Sequence, residues 1–243
     1  MKQGYYCVAS NRPLTDSVNA MRLLGDTSAF ERPGQFLNIR LNGLFLRRPI
    51  SVCDWNATGI TILYKIVGEG TAQLARLAPG NQIDVLTGLG NGYDTSKSGD
   101  TPLLIGGGVG VPPLYGLCRI LIAEGKHPTV ILGFNTASEV FYEGLFRALG
   151  AETIVATADG TAGLHGFATD AMEGLSYSYV YTCGPEPMLK AVWERSKTSG
   201  QFSFEARMGC GFGACMGCSC KTKYGNKRIC KDGPVLEKEE IIW

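Results

Sequence analysis

The chain is predicted to fold as three consecutive units. They are an antiparallel β-barrel over residues 1–98, an α/β domain on a parallel sheet over 99–200, and a small cysteine-rich module over 201–243. Three observations carry this. Short alternating apolar stretches separated by Gly and Pro fill the first hundred residues, as in a barrel or sandwich. From about 100 to 200, continuous apolar runs alternate with helix-like stretches, as in a parallel sheet flanked by helices. Beyond 200 the chain is rich in Gly and Cys.

Gln35–Leu41, Gly59–Val67 and Gln82–Leu86 alternate with period two and read as strands, with a short helix at Ala72–Leu77. Pro102–Ile105 reads as a buried parallel strand. A glycine loop follows, then a helix from about Pro112 to Glu124. Thr129–Phe134, Thr153–Ala156 and Tyr177–Cys183 are further strands, and Glu139–Leu149 and Pro187–Lys197 further helices. No internal repeat is visible.

Lys and Arg number 23 against 22 Asp and Glu, a net charge of +1, so no nucleic-acid or anionic-membrane footprint is expected. The longest uncharged run, Thr101–Cys118, holds four Gly within 106–110 followed by Pro112 and Pro113, and makes a poor membrane helix. Met1–Leu14 lacks the apolar core of a signal peptide. With only His127 and His165, histidine-based metal sites and most histidine acid–base schemes are nearly excluded. Nine cysteines, five of them between 210 and 230, suit a metal or cluster site in a reducing compartment better than a disulfide framework. A cytoplasmic protein is expected.

Cys210-x4-Cys215-x2-Cys218, followed by Cys230, has the plant-type [2Fe–2S] ligand spacing. The backbone must wrap a cluster tightly with N–H groups facing sulfur, and Gly209, Gly211, Gly213 and Gly217 permit that. Cys220 competes with Cys230 as fourth ligand, and a structural zinc is the alternative occupant, although Cys230 has no mate in a second knuckle.

Gly106, Gly107, Gly108 and Gly110 lie between a strand and a helix, where backbone amides receive a pyrophosphate. A plain tight turn is the other reading. Cys183-Gly184-Pro185-Glu186-Pro187-Met188 ends a second strand, and ligands collect at such ends. Taken alone, Cys183 reads as a small buried residue; beside the glycine loop it reads as the edge of a cofactor site. Arg47-Arg48-Pro49-Ile50-Ser51, Tyr64-Lys65 and Gly68–Thr71 offer donors for a diphosphate, or form a cationic strand and an ordinary hairpin.

Taken together these residues resemble the ferredoxin-reductase superfamily, with Arg48–Ser51 similar to its flavin motif and Gly106–Gly110 and Cys183–Met188 similar to its nicotinamide motifs. Glu205–Cys215 and Cys230–Val235 narrow the resemblance to the electron transfer subunits of NAD-dependent dihydroorotate dehydrogenase B, across the whole chain. The resemblance implies FAD contacts at Arg48, Pro49, Ile50, Ser51, Leu63, Tyr64, Lys65, Gly70 and Thr71. It implies NAD contacts at Gly106, Gly107, Gly108, Gly110, Gly184 and Met188, with Cys183 at the nicotinamide ring, and a [2Fe–2S] cluster on Cys210, Cys215, Cys218 and Cys230. Nicotinamide moves hydride, a cluster moves single electrons and a flavin does both, so such a chain converts between the two currents.

The resemblance implies that dihydroorotate is oxidised on a separate FMN-containing catalytic subunit in a heterotetramer, which agrees with the lack of an evident base for that step in this chain. Electrons would pass through the cluster and FAD to NAD+ in pyrimidine biosynthesis. NAD is expected over NADP because Gly133–Glu139 holds no cation and one acid. A differently partnered NAD(P)H:acceptor reductase subunit and a zinc-stabilised binding module are the competing readings.

Overall fold

The structure is a computed structural model that describes residues 1–243. Six strands close an antiparallel barrel: β1 (Lys2–Pro13), β2 (Val18–Leu24), β3 (Phe36–Ile39), β4 (Arg48–Asn56), β5 (Gly59–Lys65) and, after helix α1 (Glu69–Ala75), β6 (Gln82–Leu89), in the order β1-β2-β5-β4-β3-β6. Register shifts in β1, β3 and β4 mark bulges that help the sheet curl into a barrel. Buried Tyr6, Val8, Met21, Leu37, Ile60 and Val85 belong to its interior core. β1 escapes the alternation pattern because only Tyr6 and Val8 of its twelve residues are buried. Helix α1 begins three residues before the expected Ala72, because the Thr71 hydroxyl accepts from the backbone N–H groups of Val67 (2.9 Å) and Gly68 (3.3 Å) and starts the turn there.

The second unit contains β7 (Leu103–Gly107), α2 (Val111–Ala123), β8 (Thr129–Phe134), α3 (Glu143–Leu149), β9 (Glu152–Thr157), β10 (Leu164–His165), β11 (Val180–Cys183), α4 (Glu186–Arg195) and β12 (Gly200–Ser203). A hairpin of β13 (Ser219–Thr222) and β14 (Gly225–Arg228) follows, then β15 (Val235–Glu237). The sheet runs β10-β9-β8-β7-β11-β12-β15, all parallel except β15. β12 and β15 thus tie the cysteine-rich segment into the sheet, with the loop from 204 to 218 and the hairpin strung between them.

Helix α3 starts at Glu143 instead of Glu139. Tyr142 adopts a left-handed backbone (φ 67°) and packs edge-on against Tyr115 at 5.2 Å, and this tertiary contact overrides helix continuity. No helix is long and apolar enough to cross a membrane.

Barrel and sheet share one continuous core in which Val18, Cys53, Leu63 and Tyr93 meet Leu104, Leu114 and Tyr181. Helix α2 lies directly on β4, since a Cβ at Gly116 would stand 2.7 Å from the Cys53 carbonyl oxygen. Arg119 Nε and Nη2 both donate to Asp54 Oδ1, at 3.0 and 2.8 Å. Close packing outweighs this half-exposed ion pair. Gly116→Val should destabilise the chain by about 1–3 kcal/mol, and Arg119→Ala by less than about 1 kcal/mol, as read from urea unfolding.

Candidate functional site

β7 and β11 are neighbours in the sheet, but their chains depart to opposite sides of it, so a crevice opens at their carboxyl ends. The loop Gly106–Gly110 enters α2, whose first turn carries Pro112 and Pro113, where no N–H is needed. Opposite it, Cys183 and Gly184 lead into α4. The two backbones touch. A Cβ on Gly110 would lie 2.2 Å from the Cys183 carbonyl oxygen, and one on Gly107 2.6 Å from Met188 Sδ. The resulting cleft of about 670 Å³ has Phe134, Phe167 and Met188 as apolar lining and Lys65, Glu139, Arg195 and Glu205 as charged lining.

The Cys183 thiol is buried beneath this cleft, and burial pushes its pKa up to about 12. It is a neutral thiol beside Ser203, and it is not among the cleft-lining residues. Glu205 is reached by solvent through the mouth, while the protein crowding it from other sides raises its carboxyl pKa. Asn135 donates to Glu139 Oε2 from its side chain (2.8 Å) and its backbone N–H (3.2 Å), which fixes that carboxylate. Arg195 went unread in the sequence. Its signal is the spacing Met188, Ala191, Arg195, one face of α4 that borders the cleft. Arg195 is held by Asp170 at 2.8 Å.

On the barrel, Arg48 and Gly70 are brought together, since a Cβ at Gly70 would meet Arg48 Nε at 2.3 Å. Pro49, Ile50 and Ser51 continue along β4 opposite Asn38, Leu37 and Phe36. Leu63 and Tyr64 turn their side chains into the two cores, and Tyr64 Oη donates to Asn11 Oδ1 at 2.8 Å. Any ligand contact from these two therefore falls to the backbone. Lys65 reaches the cleft and links the two regions. Arg47 behaves differently from its neighbour Arg48. It forms a two-pronged pair with Asp84 at 3.0 and 2.8 Å. Burial works to raise the Asp84 pKa, but the hydrogen bonds from Arg47 and Gln3 outweigh it and hold the carboxyl low.

The cysteine thiols form two pairs. Cys210 Sγ accepts from the N–H of Ala214 (3.2 Å) and of Cys215 (3.4 Å), and Cys215 Sγ accepts from the N–H of Cys210 (3.5 Å). Twelve residues apart, Cys218 Sγ accepts from the N–H of Cys230 (3.4 Å). Left-handed backbone at Gly211 (φ 79°), Gly213 (φ 90°) and Met216 (φ 62°) turns these amides toward sulfur. Slight burial opposes ionisation of Cys210, but the N–H groups win and lower its pKa to about 6. Burial, with Cys218 adjacent, lifts Cys230 to about 12. Cys220 sits apart on the hairpin opposite Lys227.

Two thiols on the loop and two bridging it to the turn after the hairpin give a four-sulfur donor set, the ligand type that an iron–sulfur cluster takes. The loop is anchored on both sides. Arg228 donates to the Gly213 carbonyl at 3.0 Å while paired with Asp232 at 2.9 Å. Asn91, at the end of β6, exchanges bonds of 2.8 and 3.1 Å with Val235.

Comparison with known proteins follows the same lines. Residues 205–242 match the family model for the iron–sulfur cluster binding domain of dihydroorotate dehydrogenase B. The chain is 45% identical over 255 residues to the dihydroorotate dehydrogenase B (NAD(+)) electron transfer subunit of Bacillus pumilus, covering 99% of this chain and 98% of that one. It is 40% identical over 256 residues to the Geobacillus subunit of the same description, covering 100% and 99%. Among solved structures it resembles an NADH-dependent reduced ferredoxin-NADP oxidoreductase described for flavin-based electron bifurcation, with a TM-score of 0.89, 28% identity, and coverage of 98% and 90%.

Arg228 lowers the Asp232 pKa, so this pair contributes stability above the unfolded Asp value, and loses it as pH falls through the lower folded value. Asp232→Asn should therefore cost up to about 1 kcal/mol near pH 7 and progressively less as the pH drops below about 4, measured by thermal melts across pH.

Proposed function

Because the chain belongs to the family of electron transfer subunits of NAD-dependent dihydroorotate dehydrogenase B, we propose that it carries electrons from an FMN-containing catalytic subunit to NAD+ through a [2Fe–2S] cluster and FAD. The bound groups supply conversion between single-electron and hydride currents. Cys210 and Cys215 would hold one iron, Cys218 and Cys230 the other, with the amides of Ala214 and Cys215 offsetting thiolate charge. Arg48, Gly70 and Thr71 would take the FAD diphosphate, Pro49–Ser51 and the backbone of Leu63–Lys65 would line its ring, and the Gly106–Gly110 amides would meet the NAD pyrophosphate. Gly184 and Met188 would shape the nicotinamide end, with Cys183 supporting it from below as a neutral thiol. Dihydroorotate oxidation belongs to the partner, in a cytoplasmic heterotetramer.

The observation that carries this reading is the pairing of three thiols of the 204–218 loop and the Cys230 thiol beyond the hairpin, with the same loop touching the barrel at Asn38 beside β4. The likeness to the ferredoxin-NADP oxidoreductase structure favours a differently partnered reductase as second reading. The 45% identity along the whole chain favours the first.

Anaerobic purification from the native host, with iron, sulfide and flavin analysis, should yield a coloured complex with a dihydroorotate-oxidising chain; a colourless, iron-free chain would refute the proposal. Cys230→Ser should lose the cluster absorbance while Cys220→Ser keeps it, as read by iron content and visible spectra. Glu139, pinned by Asn135, would repel a 2′-phosphate, and Arg195 is already engaged by Asp170. Wild type should thus prefer NADH, and Glu139→Gln should narrow that preference about tenfold, the equivalent of roughly 1.4 kcal/mol, in the ratio of flavin-reduction rates with NADH and NADPH.

A further inference from the structure

Asn38 lies between the strand assigned to FAD and the loop assigned to the cluster. It stands on β3 opposite Pro49 and is 1% exposed. Its Nδ2 donates to the Cys210 carbonyl across 3.4 Å. The next residue, Gly211, leaves room for this, since a Cβ there would meet Nδ2 at 2.3 Å. From the other side, Arg47, locked to Asp84, reaches the Asn38 carbonyl at 3.4 Å. The Asn38 Oδ1 atom is buried without a hydrogen-bond partner. A buried carboxamide with an orphaned oxygen is worse for folding than an apolar side chain of the same shape. Stability alone therefore does not account for asparagine here.

We infer that Asn38 is a positioning residue for electron transfer: its amide holds the Cys210 peptide against the paired strands β3 and β4 and sets the gap between flavin and cluster. The inference rests on the cofactor assignments above. Electron tunnelling decays exponentially with distance, so a loop that drifts outward slows the flavin-to-cluster step. Hydride uptake from NADH occurs in the cleft between β7 and β11 and does not cross this contact.

The test uses the full chain loaded with FAD and cluster, mixed anaerobically with NADH. In Asn38→Leu, flavin bleaching should stay within twofold of wild type, while cluster reduction, followed by freeze-quench paramagnetic resonance, slows tenfold or more. Asn38→Val removes the donor with a smaller side chain suited to a strand, and should behave alike even if the leucine variant folds poorly. In the chain without cofactors, amides of residues 209–216 should exchange hydrogen faster in both variants, with β4 unchanged. Wild-type rates of cluster reduction in loaded variants, or equal slowing of both steps, would overturn the inference alone. A wild-type chain that takes up no iron or sulfide would overturn the cluster assignment beneath it.

Discussion

The seating of α2 on β4, where Gly116 meets the Cys53 carbonyl, puts the whole molecule in one frame. The amino end of α2 is the glycine loop of the cleft, and the amino end of β4 is the Arg48–Ser51 segment. One backbone contact in the middle of both elements therefore fixes the two sites relative to each other. Tyr93 reinforces it from the end of the barrel, since its hydroxyl donates to the Thr182 carbonyl at 3.0 Å and its ring packs edge-on against Tyr181. A shared apolar core between the units leaves little freedom for them to rock apart.

Local surroundings divide nine chemically identical cysteines into different roles. Burial pushes Cys53, Cys118 and Cys183 up to about 12, so these remain protonated packing residues. Cys210, wrapped by backbone N–H groups on a glycine-bearing loop, moves to about 6 and is readily ionised. The same contrast separates Arg47 from Arg48. The first neutralises a buried carboxylate inside the barrel wall, and the second lies over Gly70 with its Nη1 donating to the Leu46 carbonyl.

The carboxyl-terminal segment owes its order to tertiary anchors. β15 pairs antiparallel with β12 at the sheet edge. Asn91 and Asn38 grip the segment from the barrel, and Arg228 with Asp232 closes the turn near Cys230. Phe204 packs on Trp243 at 5.7 Å, which brings the two ends of the segment together. Met216 is the one non-glycine residue of the loop in a left-handed backbone, a conformation that such surrounding contacts hold in place.

Periodicity made an antiparallel β unit, barrel or sandwich, followed by a parallel sheet readable from residues alone, because alternation and continuous apolar runs report which faces are buried. Cysteine spacing and glycine placement likewise marked the loop and both strand ends. Several features lay beyond that reach. They include the late start of α3 at Tyr142, the arrival of Arg195 and Glu205 in one cleft, the burial of Cys183 below it, the grouping of thiols as 210 with 215 and 218 with 230, and the place of Asn38 between strand and loop. Each depends on contacts between residues far apart in the chain, and such contacts leave no periodic trace in the segments that make them.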